Sequence, residues 1–216
     1  MTGGFTLHGS PHSLPTYRVA LMLRLCHAGF SFRYVSFQRG MHRTLAFRAL
    51  SRWGQVPVLE HDGRVFVQSA AILEYLADTL GCFGAADEDV RQQVREWLFW
   101  DADRLMPPLY AWYGVELGRR KLLPLSFDPV LVADFDRKGR AALDMLDACL
   151  SGREFLVGEA ATIADICCYG AVAFARLSDK DLLAWPNVVA WTERIEALPG
   201  FAAPFDLLAM QDTEIG

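Results

Sequence analysis

Gln55-Val56-Pro57-Val58-Leu59, followed shortly by Gln68-Ser69-Ala70-Ala71-Ile72, is the part of the chain best suited to holding a ligand. Pro57 stands at the head of a strand pattern, where it removes a backbone donor. A cis bond there would present neighbouring backbone groups to a bound molecule. Gln68-Ser69 is a polar start to an apolar helix, and a helix N-terminus is a seat for a carboxylate. Asp62-Gly63 lies between the two and is a strong hairpin-turn signal. Together they describe a site for a small, extended anion of peptide character.

The elements that must hold these pieces can be read from periodicity. Phe5 to His8 is a short strand candidate, and Gly9 to Pro15 is a loop by its Gly, Pro and Ser density. Val19, Leu21, Met22, Leu25 and Cys26 recur at helical spacing up to a stop at Gly29. Ser31 to Phe37 alternates as a strand, and Met41 to Leu50 is weakly helical. Val58 to Glu60 and Arg64 to Val67 flank the hairpin turn, and Ser69 to Leu80 is a helix. The order β-α-β-α-β-β-α has the layout of a thioredoxin-like α/β domain over residues 1–80, with its first two strands parallel. Residues 81–88 read as a linker.

Residues 89–216 lose the strand signal and read as all-helical. Val90 to Leu105 forms a long helix disturbed at Pro107-Pro108. Others run over Val130 to Leu150, from Thr162, and over Asn187 to Leu198. Thr162 with Asp165 is a capping-box variant. The aromatic group Trp97, Phe99, Trp100, Tyr110, Trp112 and Tyr113 is mostly core or subunit interface, with Met106 and Trp112 the better candidates for an apolar substrate pocket.

Bulk composition narrows the function. The chain has 216 residues, is 52% hydrophobic and carries a net charge of −5, so it can bury a core and has no general attraction for nucleic acid. Five cysteines without a CxxC argue against a disulfide framework and a zinc site, and fit a reducing compartment. The opening Met1-Thr2-Gly3-Gly4 gives no sign of a signal peptide, so a cytoplasmic location is expected. The apolar run from Phe155 to Ala175 contains Glu159 and Asp165, which favours a buried helix over a membrane span.

The chain resembles the soluble glutathione transferases, most closely the bacterial theta-like, serine-type members. Four places carry the resemblance across nearly the whole length: Gly54-Gln55-Val56-Pro57, Gln68-Ser69, Phe155-Leu156-Val157-Gly158 with Thr162-Ile163-Ala164-Asp165, and Ala197-Leu198-Pro199-Gly200-Phe201. In that family the Pro57 turn is cis and pairs with the cysteinyl backbone of glutathione. Gln68 and Ser69 look like the pair that holds its γ-glutamyl group. His42 matches a histidine reaching the glycyl carboxylate. The family often has Asn-Pro ahead of the turn; Ser51-Arg52 stands here instead, and Arg52 offers a charge to the same carboxylate.

The resemblance also implies a residue that activates the glutathione thiol in the loop after the first strand. There is no Tyr at that strand's end, where His8 sits, and no Cys in the loop. Ser13 matches the serine-type position, with Ser10 and His12 as rivals; Ser13 is equally suited to capping the first helix. A hydroxyl donating to sulfur at a helix N-terminus favours the thiolate, which is the nucleophile. The family likeness thus implies a homodimeric enzyme with glutathione as co-substrate and no metal. The expected reaction joins the glutathione thiolate to a small apolar electrophile, in detoxification. Glutathione-dependent disulfide or peroxide reduction, or a non-catalytic interaction role, are the alternatives on the same fold.

Overall fold

A computed structural model describes residues 4–208; Met1, Thr2 and Gly3 of the N-terminal reading and the tail beyond Leu208 lie outside the described residues. The chain divides into two compact units. One is built from the residues up to Cys82 together with the segment from Pro199 onward, and the other spans Phe83–Leu198.

The first unit holds β1 (Phe5–Gly9), α1 (Leu14–Leu25), β2 (Phe30–Tyr34), a 3-10 turn (Met41–Arg43), α2 (Leu45–Leu50), β3 (Val58–His61), β4 (Arg64–Val67) and α3 (Ser69–Leu80). A short α9 (Pro204–Leu207) also belongs to it. Its sheet has the order β2-β1-β3-β4, with β1 and β2 parallel and the other pairs antiparallel. The expected element order is therefore present. The weakly helical stretch is interrupted at Thr44, whose hydroxyl accepts from the Phe47 amide and starts α2 afresh. The hairpin turns on Asp62 at φ 49° and Gly63 at φ 72°, the left-handed pair that matches strand twist.

The segment after Pro199 departs from the expectation that it belongs to the helical half. Tyr17, fully buried in α1, donates its hydroxyl to the Ala202 carbonyl at 2.9 Å. A buried phenol needs an acceptor, and this segment supplies it.

The second unit contains α4 (Glu88–Trp100), a wide turn (Asp101–Leu105), α5 (Met106–Arg119), α6 (Pro129–Leu150), α7 (Ile163–Ala175) and α8 (Pro186–Glu196). Pro107-Pro108 does not break the long helix. The turn before it widens, with the Met106 amide donating to the Asp101 carbonyl five residues back. The prolines then follow in the first turn of α5, and the widened turn before them accommodates the two missing N–H groups. The fully buried Asp165 organises the start of α7. It accepts from the Leu156 amide (2.9 Å), the Thr162 amide (2.8 Å), the Thr162 hydroxyl (3.1 Å) and the Trp191 indole (2.9 Å). Cys167 and Cys168 are fully buried in α7, as packing residues should be, and Cys167 donates to Asp101.

At the end of α5 the buried Glu116 is clamped by Arg119, with two contacts at 2.7 Å, and by Arg120. The Arg119 hydrogen bond, against an opposing contribution from burial, holds its carboxyl below the ordinary range. The unfolded chain thus binds this proton more readily than the native one. Its stabilising contribution is present above the unfolded pKa and is lost as pH falls through the lower folded one. In urea unfolding across the acid range, Glu116→Gln is expected to flatten the fall in stability; an unchanged slope contradicts the assignment.

Candidate functional site

One end of the sheet gathers the predicted site residues. The pairs Gly9↔Tyr34, His8↔Val58 and Val58↔Val67 put the ends of β1, β2 and β4 beside the beginning of β3. The loops leaving those points carry Ser10, His12 and Ser13; then His42; then Gln55, Val56 and Pro57; then Gln68 and Ser69. Chain segments distant in sequence thus become neighbours through strand register.

The first segment is held tightly. A Cβ on Gly9 would sit 2.1 Å from the Thr16 side chain, so only glycine lets β1 turn this closely into α1. Ser13 is the N-cap of α1, and its oxygen accepts from the Thr16 amide at 3.2 Å. Because that oxygen is the acceptor, the hydroxyl proton remains available for donation. No acid occupies the first turn of α1, so its positive end is not neutralised. Ser10 is also buried; its oxygen accepts from the His12 amide at 3.4 Å. Half-buried His12 meets Phe205 edge-on at 5.4 Å, and burial lowers its pKa, so it is neutral near pH 7.

The second segment reaches the turn through backbone. Gly54, at φ 62°, lies where a Cβ would be 2.9 Å from the His42 carbonyl, so the two loops touch. The His42 Nε2 accepts from Arg43 at 3.2 Å, and the other ring nitrogen is Nδ1. That nitrogen is buried and has no hydrogen-bond partner. The imidazole is therefore engaged locally, and the exposed Arg43 beside it is a cation the sequence reading passed over. A small core of Val35, Phe47 and Val58, with Met41, Leu50, Val56 and Val67 against it, anchors this segment and the turn together.

The Val56–Pro57 bond is cis, as the resemblance implies. The brace for this turn is Ser51, a fully buried side chain in the place where the family often has Asn. Its hydroxyl donates to the Gln55 carbonyl at 2.8 Å and accepts from the Gln55 amide at 3.1 Å. The sequence signal for it was its position alone. Arg52 sits over Trp53, with its Cζ 4.3 Å from the ring centroid, and Trp53 is half-exposed. Ser51→Ala leaves both Gln55 backbone groups without this partner and is expected to destabilise the chain by about 1–3 kcal/mol. Urea unfolding measures that loss, and an unchanged midpoint removes Ser51 from the role of brace.

Gln68 has φ 71° and ψ 113°, a conformation that side-chain-bearing residues avoid. Such strain is of order 1–3 kcal/mol and is characteristic of ligand-holding positions. Its side-chain Nε2 donates to the Gln55 Oε1 at 3.4 Å, linking the turn to the helix start. No side chain caps the first turn of α3 and no acid lies in it. Ser69 and the neighbouring amides therefore present an open helix N-terminus.

The proposed pocket residues of the second unit, Met106 and Trp112, both lie on α5. Met106 is half-buried at the start of α5. Trp112 is buried, its ring packed where a Cβ on Gly139 would be 2.4 Å away, and it lines a recess of about 360 Å³ with Arg140, Lys180 and Trp185. A separate groove of about 740 Å³ is lined by Trp100, Arg104, Pro108, Phe135 and Met145 and includes neither residue. Among the described residues, no cluster of three or more His, Cys, Asp or Glu is arranged to bind a metal. No described helix is long and apolar enough to cross a membrane.

Residues 12–79 match the family model "Glutathione S-transferase, N-terminal domain", and residues 130–199 match "Glutathione S-transferase, C-terminal domain". The chain is 29% identical over 210 residues to glutathione S-transferase theta-2 of Mus musculus, covering 91% of this chain and 82% of that protein. It is 32% identical over 200 residues to maleylacetoacetate isomerase of Rhizobium meliloti, covering 88% of this chain and 90% of that one. The solved structure of a glutathione S-transferase from Xanthobacter autotrophicus Py2 is similar at a TM-score of 0.85 and 30% identity, covering 94% of this chain and 98% of that chain. One from Pseudomonas fluorescens Pf-5 gives 0.84 at 29%, covering 94% and 99%. A thioredoxin-like unit, a helical unit and matches over both halves lead to one conclusion: this chain belongs to the glutathione S-transferase family.

Proposed function

We propose that the chain transfers the glutathione thiolate to a small, apolar electrophile by addition or displacement at carbon. The observation that carries this reading is the meeting, at one end of the sheet, of a hydroxyl with a proton to donate, a braced Val56–Pro57 turn and an open helix N-terminus. In this proposal the backbone at Val56 pairs with the cysteinyl residue of glutathione. Gln68, Ser69 and the start of α3 take the γ-glutamyl carboxylate. The His42–Arg43 segment takes the glycyl carboxylate. Ser13 donates to the sulfur and holds it as thiolate; it is never itself acylated or alkylated.

Residues 1–80 then serve as the glutathione-binding domain, 81–88 as the linker and 89–216, apart from the segment from Pro199 onward that joins the first unit, as the source of groups facing the electrophile. We further propose a cytoplasmic homodimer acting in detoxification, on family likeness. Sedimentation should give a dimer, and a monomer at all concentrations removes that part.

A second reading comes from the relative named maleylacetoacetate isomerase. Reversible thiolate addition to a conjugated double bond, followed by rotation and expulsion of the thiolate, uses the same activated sulfur and returns glutathione unchanged. Three parallel assays with glutathione separate the readings: an aryl halide, a cis-configured conjugated enone acid, and a small disulfide. Conjugation of the aryl halide is the expected result. Turnover confined to the enone selects isomerisation, and turnover confined to the disulfide selects reduction. Retention on immobilised glutathione without turnover in any assay leaves only a binding role.

A further inference from the structure

In the second unit Trp112, Trp185 and Trp191 are all buried. Trp185 donates its indole N–H to Asp144 at 2.7 Å, and Trp191 donates its own to Asp165 at 2.9 Å. Trp112, only 3% exposed, has no acceptor for its Nε1–H among the described residues. A donor withdrawn from water and left unmet is costly, so this atom asks for a partner. The Cε2–Cζ2 edge of the ring packs on Gly139, where a Cβ would be 2.8 and 2.4 Å away, and Nε1 is bonded to Cε2. Asp136, Gly139 and Arg140 stand at i, i+3 and i+4 on α6, so they share the face turned toward that edge. Lys180 reaches the same place from the segment after α7. Its ammonium lies 5.5 Å from the Trp112 ring centroid and pairs with Asp136 at 2.8 Å. Arg140 is exposed and has no hydrogen bond or ion pair among the described residues. Trp112, Arg140 and Lys180 line the recess of about 360 Å³ together with Trp185, Asp179 and Asp181.

We propose that this recess binds a small aromatic monocarboxylate, whose carboxylate accepts from the Trp112 indole and pairs with Arg140 while its ring lies against Trp185. The site is built from residues of the second unit alone and stands whether or not the chain transfers glutathione. Three features set the ligand class. The unmet indole N–H calls for an acceptor. Arg140 is a planar cation not engaged by any acid of the chain, and its fork takes a carboxylate in two parallel hydrogen bonds. The acids limit the charge that can enter. Lys180 is already held by Asp136, and Asp181 is turned to the Leu183 amide at 2.9 Å, but Asp179 and Asp181 both line the recess. A dianion such as phosphate meets repulsion there, whereas a single carboxylate sets its one charge directly against Arg140. A recess of this size with two indole walls fits a body of one ring.

The test titrates the full chain with para-fluorobenzoate and follows the ligand by fluorine NMR. Saturable binding that inorganic phosphate does not displace is the expected result. Trp112→Phe keeps a ring over Gly139 and loses the N–H, and Arg140→Gln loses the charge at an exposed position. Each should weaken binding about tenfold or more, the worth of a hydrogen bond to a charged group. Arg140→Gln carries the test alone if Trp112→Phe does not fold. Arg137→Gln removes another exposed arginine of α6, one already paired with Asp134 at 2.6 Å, and should leave the affinity unchanged. Affinity that survives Arg140→Gln or a folded Trp112→Phe, an equal loss in Arg137→Gln, or displacement by phosphate overturns the proposal. So does the absence of saturable binding, in which case water alone meets the indole.

Discussion

Ser13→Ala is expected to lower kcat/KM for glutathione conjugation by about 10- to 100-fold near neutral pH, since a hydrogen bond to a charged acceptor is worth about 1.5–3 kcal/mol and each factor of ten about 1.4 kcal/mol. The loss should shrink as pH rises, because an unassisted thiol ionises on its own in that range. Binding of glutathione should change little, since its carboxylates are assigned to other segments. Ser13 also caps α1, so the same substitution is expected to cost about 1 kcal/mol of stability. Ser13→Asp separates the two effects. It keeps an acceptor for the Thr16 amide and has no proton to give to sulfur, so it should melt near wild type and still turn over slowly. Full activity in Ser13→Ala would move the role to Ser10, whose hydroxyl lies in the same loop, and Ser10→Ala is then the variant to measure.

Asp165→Ala is expected to give the largest loss of stability, about 3–5 kcal/mol, because removing a buried charged partner strands the groups that surrounded it. Here these are two backbone amides, the Thr162 hydroxyl and the Trp191 indole, all closed off from water. Asp165→Asn keeps the shape yet offers an NH2 group to sites that need acceptors, so it should also be strongly destabilised. Burial pushes this carboxyl above its ordinary range, with the four donors pulling the other way. The native state therefore keeps this proton to higher pH than the unfolded chain, and the carboxyl's contribution weakens as pH rises through that window. Glu116 behaves in the opposite sense. Urea unfolding of the variants checks the magnitude, and a loss under about 1 kcal/mol would show that water replaces the carboxylate.

Features that declare themselves locally were legible in the sequence. A proline at a strand head, Asp62-Gly63 between two alternating runs, and Thr162 with Asp165 each announce one backbone geometry, and each adopts it. Features that depend on folded proximity were not. Nothing local says that Tyr17 will find its acceptor in Ala202, or that Trp112 will pack on Gly139. Pro107-Pro108 marks a disturbance of the long helix, but sequence pattern does not say whether the helix breaks or, as here, widens by a residue before the prolines. Ser10 and Ser13 share type, loop and burial, so spacing alone does not rank them; the direction of each hydroxyl is a property of the folded loop.

The backbone of Gln68 sets stability against binding at a single position. Glycine tolerates a φ of 71° better than any residue with a side chain, so Gln68→Gly relieves strain while deleting the side chain that reaches Gln55. A population selected only for resistance to heat should drift toward glycine there and shed affinity for an anionic ligand as it does so. Selection for binding would push the position back. Sequencing the two selected pools would turn one dihedral angle into a readout of what this end of the sheet is for.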